Sequence, residues 1–215
     1  MSGVSSIPPK DFLIVTPDGG AGFYINSRDG KNRYEDFLIK EFFPFIEGHY
    51  RVAPGRAHRA ISGVSMGGYG ALHLAFRHPE LFGSVGAHSA ALLEKLPTVT
   101  VSDSRQLARS RILGNVFGSP LDPIFWKQND PLTIARTASL AGLQIYFDCG
   151  SEDDFGFDAG AVALDKMLGS RHIPHEFHLY PGGHNWVYVA DHLPALLQFH
   201  FRVFESASRR RNSQQ

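Results

Sequence analysis

Short apolar runs alternate along this chain with longer segments in which apolar residues recur at helical spacing. The short runs are rich in β-branched and aromatic residues, and several are followed by Gly or Pro, a pattern typical of buried β-strands. In the longer segments, apolar residues three and four positions apart face charged residues, as in amphipathic helices. The pattern predicts strands at residues 12–16, 59–64, 82–88, 143–149 and 175–180, and helices at 34–46, 67–77, 157–168 and 186–204.

Strands that alternate with helices predict right-handed βαβ units and a mostly parallel sheet covered by helices on both faces. Residues 1–205 are therefore expected to form one α/β domain. The segment 90–137 has weak periodicity and four prolines and is too long for an ordinary connection, so we predict a lid over a site. The polar stretch 206–215, which contains three consecutive arginines, is predicted to be a disordered tail.

Composition narrows the class of protein. The chain has 215 residues, and its 21 Lys and Arg balance its 21 Asp and Glu. Nucleic-acid binding relies on phosphate neutralisation by basic residues, so a neutral chain without a basic stripe argues against it. The single cysteine, Cys149, excludes an internal disulfide and a multi-cysteine zinc module. No run has the length of a membrane helix and residues 1–10 carry no signal pattern, which predicts a cytoplasmic protein.

A G-x-S-x-G motif, Gly63-Val64-Ser65-Met66-Gly67, follows the second predicted strand. Between a strand and a helix, this motif forms a sharp turn that strains the serine backbone and raises its Oγ above the sheet. Glycines are needed there because the neighbouring chain leaves no room for Cβ atoms. The serine also stands at a helix N-terminus, whose positive end favours developing negative charge. We therefore predict that Ser65 is a nucleophile.

A nucleophilic serine requires a base and an acid that orients the base. In this architecture they follow in the order Ser, acid, His, each after a later strand. The fourth predicted strand is followed by Glu152, Asp153 and Asp154, and the last strand by His184 in a glycine turn. The residues alone leave all three carboxylates open, with Asp153 preferred and Asp154 next. His184 is the predicted base.

The other histidines fit this role less well. His172, His175 and His178 resemble a metal-binding run, but strand geometry sends the last two to opposite faces and no Glu or Cys stands at ligand spacing. His192 and His200 fall on the last predicted helix, where packing or solvent contact is the ordinary role. The sequence indicates no metal and no cofactor. Residues that could line a substrate pocket are Tyr24, His88, Trp126 and Trp186.

Five longer stretches resemble one branch of the α/β-hydrolases. They are PDGG at 17–20, FYINS at 23–27, YEDFL at 34–38, RAISGVSMGGYGA at 59–71 and GGHNW at 182–186. Through them the chain, from about residue 8 to about residue 204, resembles the Putative esterase family of esterase D type. Relatives in that family include S-formylglutathione hydrolases, feruloyl and acetylxylan esterases, siderophore esterases and mycolyltransferases.

The resemblance implies an α/β-hydrolase-type three-layer sandwich that hydrolyses a small-molecule carboxylic ester through an acyl-enzyme. It implies Ser65 as the nucleophile and His184 as the base. The family's acid follows its strand glycine by three positions, which selects Asp153. The backbone N–H of Met66, the residue after the nucleophile, is the expected oxyanion donor.

The resemblance also implies three more strands before the nucleophile strand, the third of which would lie in the sheet between the strands at 12–16 and 59–64. A second oxyanion donor would come from a loop after that strand, and no such loop precedes Ser65. The chain is therefore expected to lack the N-terminal strands of the fold. There are two alternatives to an esterase: an acyltransferase that uses the same triad, and, because this oxyanion segment is absent, a catalytically weak or non-catalytic relative.

Overall fold

A computed structural model describes residues 12–96 and 112–212. In this part of the chain, four strands form one sheet in the order β1-β2-β3-β4, and all neighbouring strands are parallel. Each strand begins and ends close to a predicted one, so the prediction of an α/β fold with a parallel sheet is confirmed. The strands are β1 (Ala60–Val64), β2 (Ser84–His88), β3 (Gln144–Gly150) and β4 (Glu176–Tyr180).

Helices follow the strands, as the alternating pattern predicts. In residues 12–96 and 112–212, no helix is both long and apolar enough to cross a membrane. The helices with described bounds are α1 (Tyr34–Phe37), α2 (Phe43–His49), α3 (Met66–Arg77), α4 (Pro123–Asn129), α5 (Pro131–Ile134), α6 (Phe157–Ser170) and α7 (Trp186–Asn212).

The sheet separates two layers of helices because alternate strand residues point to opposite faces. On one face, Val85 of β2 and Phe147 of β3 belong to the main core, together with apolar residues of α3 and α6. On the other face, Tyr146 of β3 packs against Leu196 and Phe199 of α7. The predicted three-layer sandwich is confirmed, with α7 alone covering much of the second face.

In the described part of the segment predicted as a lid, residues 112–117 are helical, and the short helices α4 and α5 follow. The Asp122 side chain accepts hydrogen bonds at the start of α4, and Asp130 does the same for α5. Trp126 of α4 is buried in the main core, which removes it from the candidate substrate contacts. Residues 97–111 of the segment lie outside the described residues, and its role as a lid stays a prediction.

Residues 12–16, predicted as a strand, do not form one in this structure. A strand needs a neighbour to pair its backbone N–H and C=O groups, and no described segment pairs with these residues. Leu13, Ile14 and Val15 are consequently 45%, 66% and 39% exposed. Residues 12–17 and β1 instead line a groove of about 1290 Å³. The groove lies where the family resemblance implies a further strand.

The region before β1 is helical from Tyr34 to His49, through a π-helical turn, Leu38–Phe42, that joins α1 to α2. Pro44 lies in the first turn of α2, where a missing backbone N–H is tolerated. The buried carboxylate of Glu35 lies 3.1 Å from His73 Nε2 and 2.8 Å from His78 Nε2. These contacts attach α1 to α3.

Helix α7 extends further than the sequence predicts, to Asn212. Within it, Arg202 pairs with Glu176 of β4 at 2.9 Å, and in the added turns the hydroxyls of Ser206 and Ser208 donate to carbonyl groups one turn earlier. Basic residues near a helix C-terminus are also favoured by the helix dipole. The prediction of a disordered tail is therefore corrected up to Asn212, and residues 213–215 lie outside the described residues.

Candidate active site

Ser65 occupies the sharp turn between β1 and α3. Its φ of 55° and ψ of −116° lie in a region that residues with a Cβ rarely adopt. The turn brings two glycines into contact, since a Cβ on Gly63 would lie 2.3 Å from the carbonyl carbon of Gly67. The strained turn predicted from the G-x-S-x-G motif is present, and the close approach explains its glycines.

Backbone hydrogen bonds hold this turn against the sheet. The Ser65 N–H donates to the carbonyl oxygen of His88, the last residue of β2, at 2.9 Å. The Ser65 carbonyl oxygen accepts from the N–H groups of Tyr69 at 3.0 Å and Ala91 at 2.9 Å. The next residue, Met66, is the first of α3 and carries one of the N–H groups that have no acceptor within the helix.

Asp153 and His184 are in direct contact. His184 Nδ1 lies 2.7 Å from Asp153 Oδ2, while Asp153 Oδ1 accepts from the N–H of Phe155 at 2.9 Å and, more weakly, from that of Phe157 at 3.4 Å. Burial raises the pKa of Asp153, but His184 and the two N–H groups outweigh burial and hold the pKa below its ordinary value. An ionised Asp153 keeps a proton on His184 Nδ1 and leaves Nε2 as the basic nitrogen.

Of the three carboxylates that the sequence leaves open, Asp153 is the one that meets His184. Its side chain is buried, whereas Glu152 and Asp154 are exposed. The residue pattern alone leaves all three carboxylates open, because three adjacent acidic residues differ in where the loop places their side chains, and the family resemblance selects Asp153.

The loops after β3 and β4 are joined through their backbones. The N–H of Ser151 donates to Tyr180 O at 2.8 Å, and the N–H of Glu152 donates to Gly182 O at 2.9 Å. A Cβ on Gly150 would lie 2.2 Å from the Gly182 oxygen. This close approach brings the loop that carries Asp153 against the loop that carries His184.

Aromatic rings border the His184 imidazole. Phe155 and Phe157 meet it edge to face, with ring centroids 4.8 and 5.4 Å away. Phe155 is 52% exposed, and Trp186, two residues after His184, is 78% exposed. The sequence pointed to Trp186 but not to Phe155, because in a chain with 17 Phe a phenylalanine first indicates core packing.

The single cysteine adjoins the acid. Cys149 is fully buried at the end of β3, and its Sγ lies 3.6 Å from Asp153 Oδ2. Burial and then the charge of Asp153 raise the pKa of the Cys149 thiol to about 12, so it stays protonated and donates a weak hydrogen bond to that oxygen. Sequence reasoning considered Cys149 only for disulfides and metals and missed this contact.

The three predicted triad residues stand at one edge of the sheet. Ser65 follows β1, Asp153 follows β3 and His184 follows β4, and the carboxyl ends of parallel strands share an edge. The structure joins Asp153 to His184. Among the described residues, no hydrogen bond connects the Ser65 hydroxyl to His184, so a complete triad stays a prediction.

Tyr24 packs against the start of α3. A Cβ on Gly70 would lie 2.5 Å from the Tyr24 ring, and one on Gly67 would lie 3.8 Å from its hydroxyl. Burial and then the nearby Asp18 raise the pKa of Tyr24, so the phenol is neutral. Its hydroxyl is therefore close to the nucleophile turn, and a role in substrate contact stays a prediction.

His88 does not line an open site. Its imidazole is 1% exposed, and Nδ1 lies 2.6 Å from Oδ2 of Asp148, its neighbour on β3. His88 shares a strand face with Ser84, whose hydroxyl lies 2.8 Å from His200 Nδ1 of α7. Burial between the sheet and α7 prevents contact with a substrate, so the predicted substrate role of His88 is corrected.

Comparison with known proteins shows the family to which the chain belongs. The sequence profile of the Putative esterase family matches residues 8–200, which is most of the chain. The chain belongs to this family. An esterase of Mycobacterium tuberculosis is 34% identical over 194 residues, which cover 81% of this chain and 42% of that protein. The S-formylglutathione hydrolase of Mus musculus is 26% identical, with 87% of this chain and 64% of that protein covered.

Solved structures of this family have the same fold. A ferulic acid esterase with 29% identity superposes with a TM-score of 0.66 over 84% of this chain and 64% of its own. An S-formylglutathione hydrolase from Agrobacterium tumefaciens, 20% identical, gives a TM-score of 0.67 over 85% of this chain and 63% of its own. The chain spans less than two thirds of the length of these relatives.

Proposed function

We propose that this protein hydrolyses small-molecule carboxylic esters, with Ser65 as nucleophile, His184 as general base and Asp153 as the acid that orients it. The observation that carries the proposal is the contact of His184 with the buried carboxylate of Asp153, at the same sheet edge as the strained Ser65 turn. Membership of a family whose relatives are named esterases supports water as the acyl acceptor. No observation favours an alcohol acceptor.

The reaction proceeds in two halves. The Ser65 oxygen bonds to the ester carbonyl carbon while its proton moves to His184 Nε2. The tetrahedral intermediate then collapses, and the alcohol leaves with that proton, which gives an acyl-enzyme. Water attacks the acyl carbon as His184 takes a proton from it, and the carboxylic acid departs as the proton returns to Ser65. The Met66 N–H and the positive end of α3 stabilise the oxyanion in both halves.

Covalent labelling tests the nucleophile directly. A fluorophosphonate probe is expected to label the protein at Ser65, because the serine oxygen displaces fluoride from phosphorus when His184 removes its proton. Labelling is read by mass spectrometry of the modified peptide, alongside turnover of p-nitrophenyl acetate. Ser65→Ala is expected to remove both signals.

The exposed serine of β1 provides a matched control for this experiment. Ser62→Ala changes a hydroxyl three residues earlier on the same strand and is expected to keep labelling and turnover. Absence of labelling in the folded protein, or labelling that persists in Ser65→Ala, would contradict the proposal.

The aromatic surface beside His184 suggests the kind of ester. The Phe155 ring meets His184 and is 52% exposed, Trp186 lies two residues after His184 in the chain and is 78% exposed, and Tyr24 stands near the nucleophile turn. Flat aryl or acyl groups pack well on such rings. A solved structure with 29% identity is named a ferulic acid esterase. We therefore propose esters with an aryl group as the preferred substrates.

Removing the Trp186 ring is expected to raise KM for p-nitrophenyl acetate about fivefold at unchanged kcat, since one aromatic contact contributes about 1 kcal/mol. Trp186 is 78% exposed, so Trp186→Ala should leave folding intact. Val187→Ala, at the next and similarly exposed position, is the control and should change KM less. Initial-rate kinetics on both variants measure the difference, and an unchanged KM in Trp186→Ala would remove this residue from the substrate site.

A further inference from the structure

A group of polar side chains lies buried between the sheet and α7, outside the proposed triad. Asp148 on β3 is 1% exposed and lies at its centre. Its Oδ1 accepts a 2.7 Å hydrogen bond from the Tyr188 hydroxyl of α7, and its Oδ2 lies 2.6 Å from His88 Nδ1 of β2. One carboxylate thus joins two strands and a helix where most proteins place apolar residues.

Tyr188 connects this carboxylate to the loop that carries His184. Its backbone N–H donates to Asn185 Oδ1 at 3.0 Å, which caps the start of α7 immediately after His184. Its ring packs on the other side of the loop, where a Cβ on Gly182 would lie 3.0 Å from Tyr188 Cδ2. Tyr188 therefore holds the loop on both sides of His184.

The same group reaches the nucleophile turn through backbone contacts. The carbonyl oxygen of His88 accepts from the Ser65 N–H at 2.9 Å, and the carbonyl oxygen of Asp148 accepts from the Ser89 N–H at 2.8 Å. Asp148 also stands two residues before Gly150, where the β3 and β4 loops touch. All three segments that carry the predicted triad are therefore attached to this buried group.

We propose that Asp148, Tyr188 and His88 form a positioning unit that holds the His184 loop and the Ser65 turn in register with each other. The inference rests on the proposed function. Burying a carboxylate costs free energy unless the group is paired. A positioning role for Asp148 and Tyr188 accounts for the presence of a buried carboxylate between the sheet and α7.

The Tyr188 hydroxyl carries the decisive contact. Burial and then the charge of Asp148 raise the pKa of Tyr188 above its ordinary value, so the phenol stays protonated and donates. Tyr188→Phe removes this one hydrogen bond and keeps the ring that packs on Gly182. The loop that carries His184 is then held less firmly on one side. We therefore expect the distances from His184 to Ser65 and Asp153 to vary more.

The test compares Tyr188→Phe with the wild type by kinetics and by NMR. We expect kcat for p-nitrophenyl acetate to fall about tenfold to 100-fold at nearly unchanged KM, since displacement of a catalytic group by about 1 Å has effects of this size. The low-field proton signal of His184 Nδ1–H, which reports its bond to Asp153, should broaden or weaken.

Ser84→Ala is the matched control. It removes another buried hydroxyl contact between β2 and α7, the 2.8 Å contact with His200, at the opposite end of the strand. This variant should lose stability without losing kcat or the His184 signal. Equal kcat in Tyr188→Phe and Ser84→Ala, with an unchanged His184 signal, would overturn the positioning role.

If Tyr188→Phe does not fold, a second pair of variants tests the same positioning role. Asn185 is exposed, so Asn185→Ala should fold while removing the cap that ties Tyr188 to the loop. It is expected to lower kcat, and Asn185→Ser, which restores a cap acceptor, to recover it. The same kcat in both variants would contradict the proposal. A wild type that gives a sharp His184 signal but hydrolyses no ester would refute the proposed function, while broadening of that signal in Tyr188→Phe and not in Ser84→Ala would still support the positioning role.

Discussion

Replacing Asp153 with Asn is expected to lower kcat for ester hydrolysis about 10⁴-fold while the fold remains intact. The buried Oδ2 of Asp153 accepts from His184 Nδ1 at 2.7 Å, and an amide nitrogen in its place would donate instead. The imidazole would then carry its proton on Nε2, where it could not remove the proton of Ser65. The change affects proton transfer more than binding, so KM should move little.

The neighbouring residue, Asp154, provides a matched control for Asp153→Asn. Asp154→Asn removes the same charge one residue later, on an exposed side chain. It should retain kcat within about twofold, because an exposed carboxylate contributes little through screened interactions. Steady-state kinetics with p-nitrophenyl acetate measure kcat for both variants. If kcat falls in Asp154→Asn but not in Asp153→Asn, the acid has been assigned to the wrong residue.

Replacing Gly150 with Ala is expected to impair both stability and activity. The added Cβ would lie 2.2 Å from the carbonyl oxygen of Gly182, a backbone atom that cannot rotate away. The β3 and β4 loops must therefore move apart, at a cost of about 1–3 kcal/mol, which is typical of overpacking. Because these loops carry Asp153 and His184, a shift of about 1 Å should also lower kcat by up to about 100-fold.

Thermal unfolding and kinetics on the same preparation test this prediction. Gly169→Ala serves as its control, since that glycine lies in α6 and a Cβ there would have no neighbour within 4 Å. Alanine favours a helix over glycine by about 0.5–1 kcal/mol, so this variant should be equally or more stable and fully active. A Gly150→Ala protein with wild-type Tm and kcat would show that the two loops are not rigidly joined.

The sequence predicts the parts of the fold that depend on local pattern. The strands at β1 to β4 and the helices α3, α6 and α7 follow from periodicity, and the motif around Ser65 predicts the strained turn because its geometry is local. The order of acid and base after later strands predicts His184 and narrows the acid to three residues. The family resemblance selects Asp153 among them, and the contact between Asp153 and His184, which depends on how two distant loops meet, supports that prediction.

The remaining differences come from interactions between segments far apart in the chain. Residues 12–16 have strand-like composition, but composition does not supply a pairing partner. His88 ends a strand as a pocket residue would, yet Asp148 on the adjacent strand and α7 above it bury the imidazole. Tyr188 belongs to no recognisable motif. Its proposed positioning role rests on a hydrogen bond to Asp148, 40 residues earlier in the chain.

The strained backbone conformation of Ser65 can persist only while the surrounding part of the domain is folded. An isolated strand and helix would relax this turn, because a non-glycine residue at φ 55° gains free energy by leaving that conformation. The carbonyl of His88 and the N–H of Ala91 keep it in place, and both belong to the segment that must already be paired with β1. A partly folded molecule that has lost the β1–β2 ladder therefore contains Ser65 as an ordinary alcohol. The proposed nucleophile therefore depends on the whole folded domain, and we expect its reactivity to disappear together with the native state.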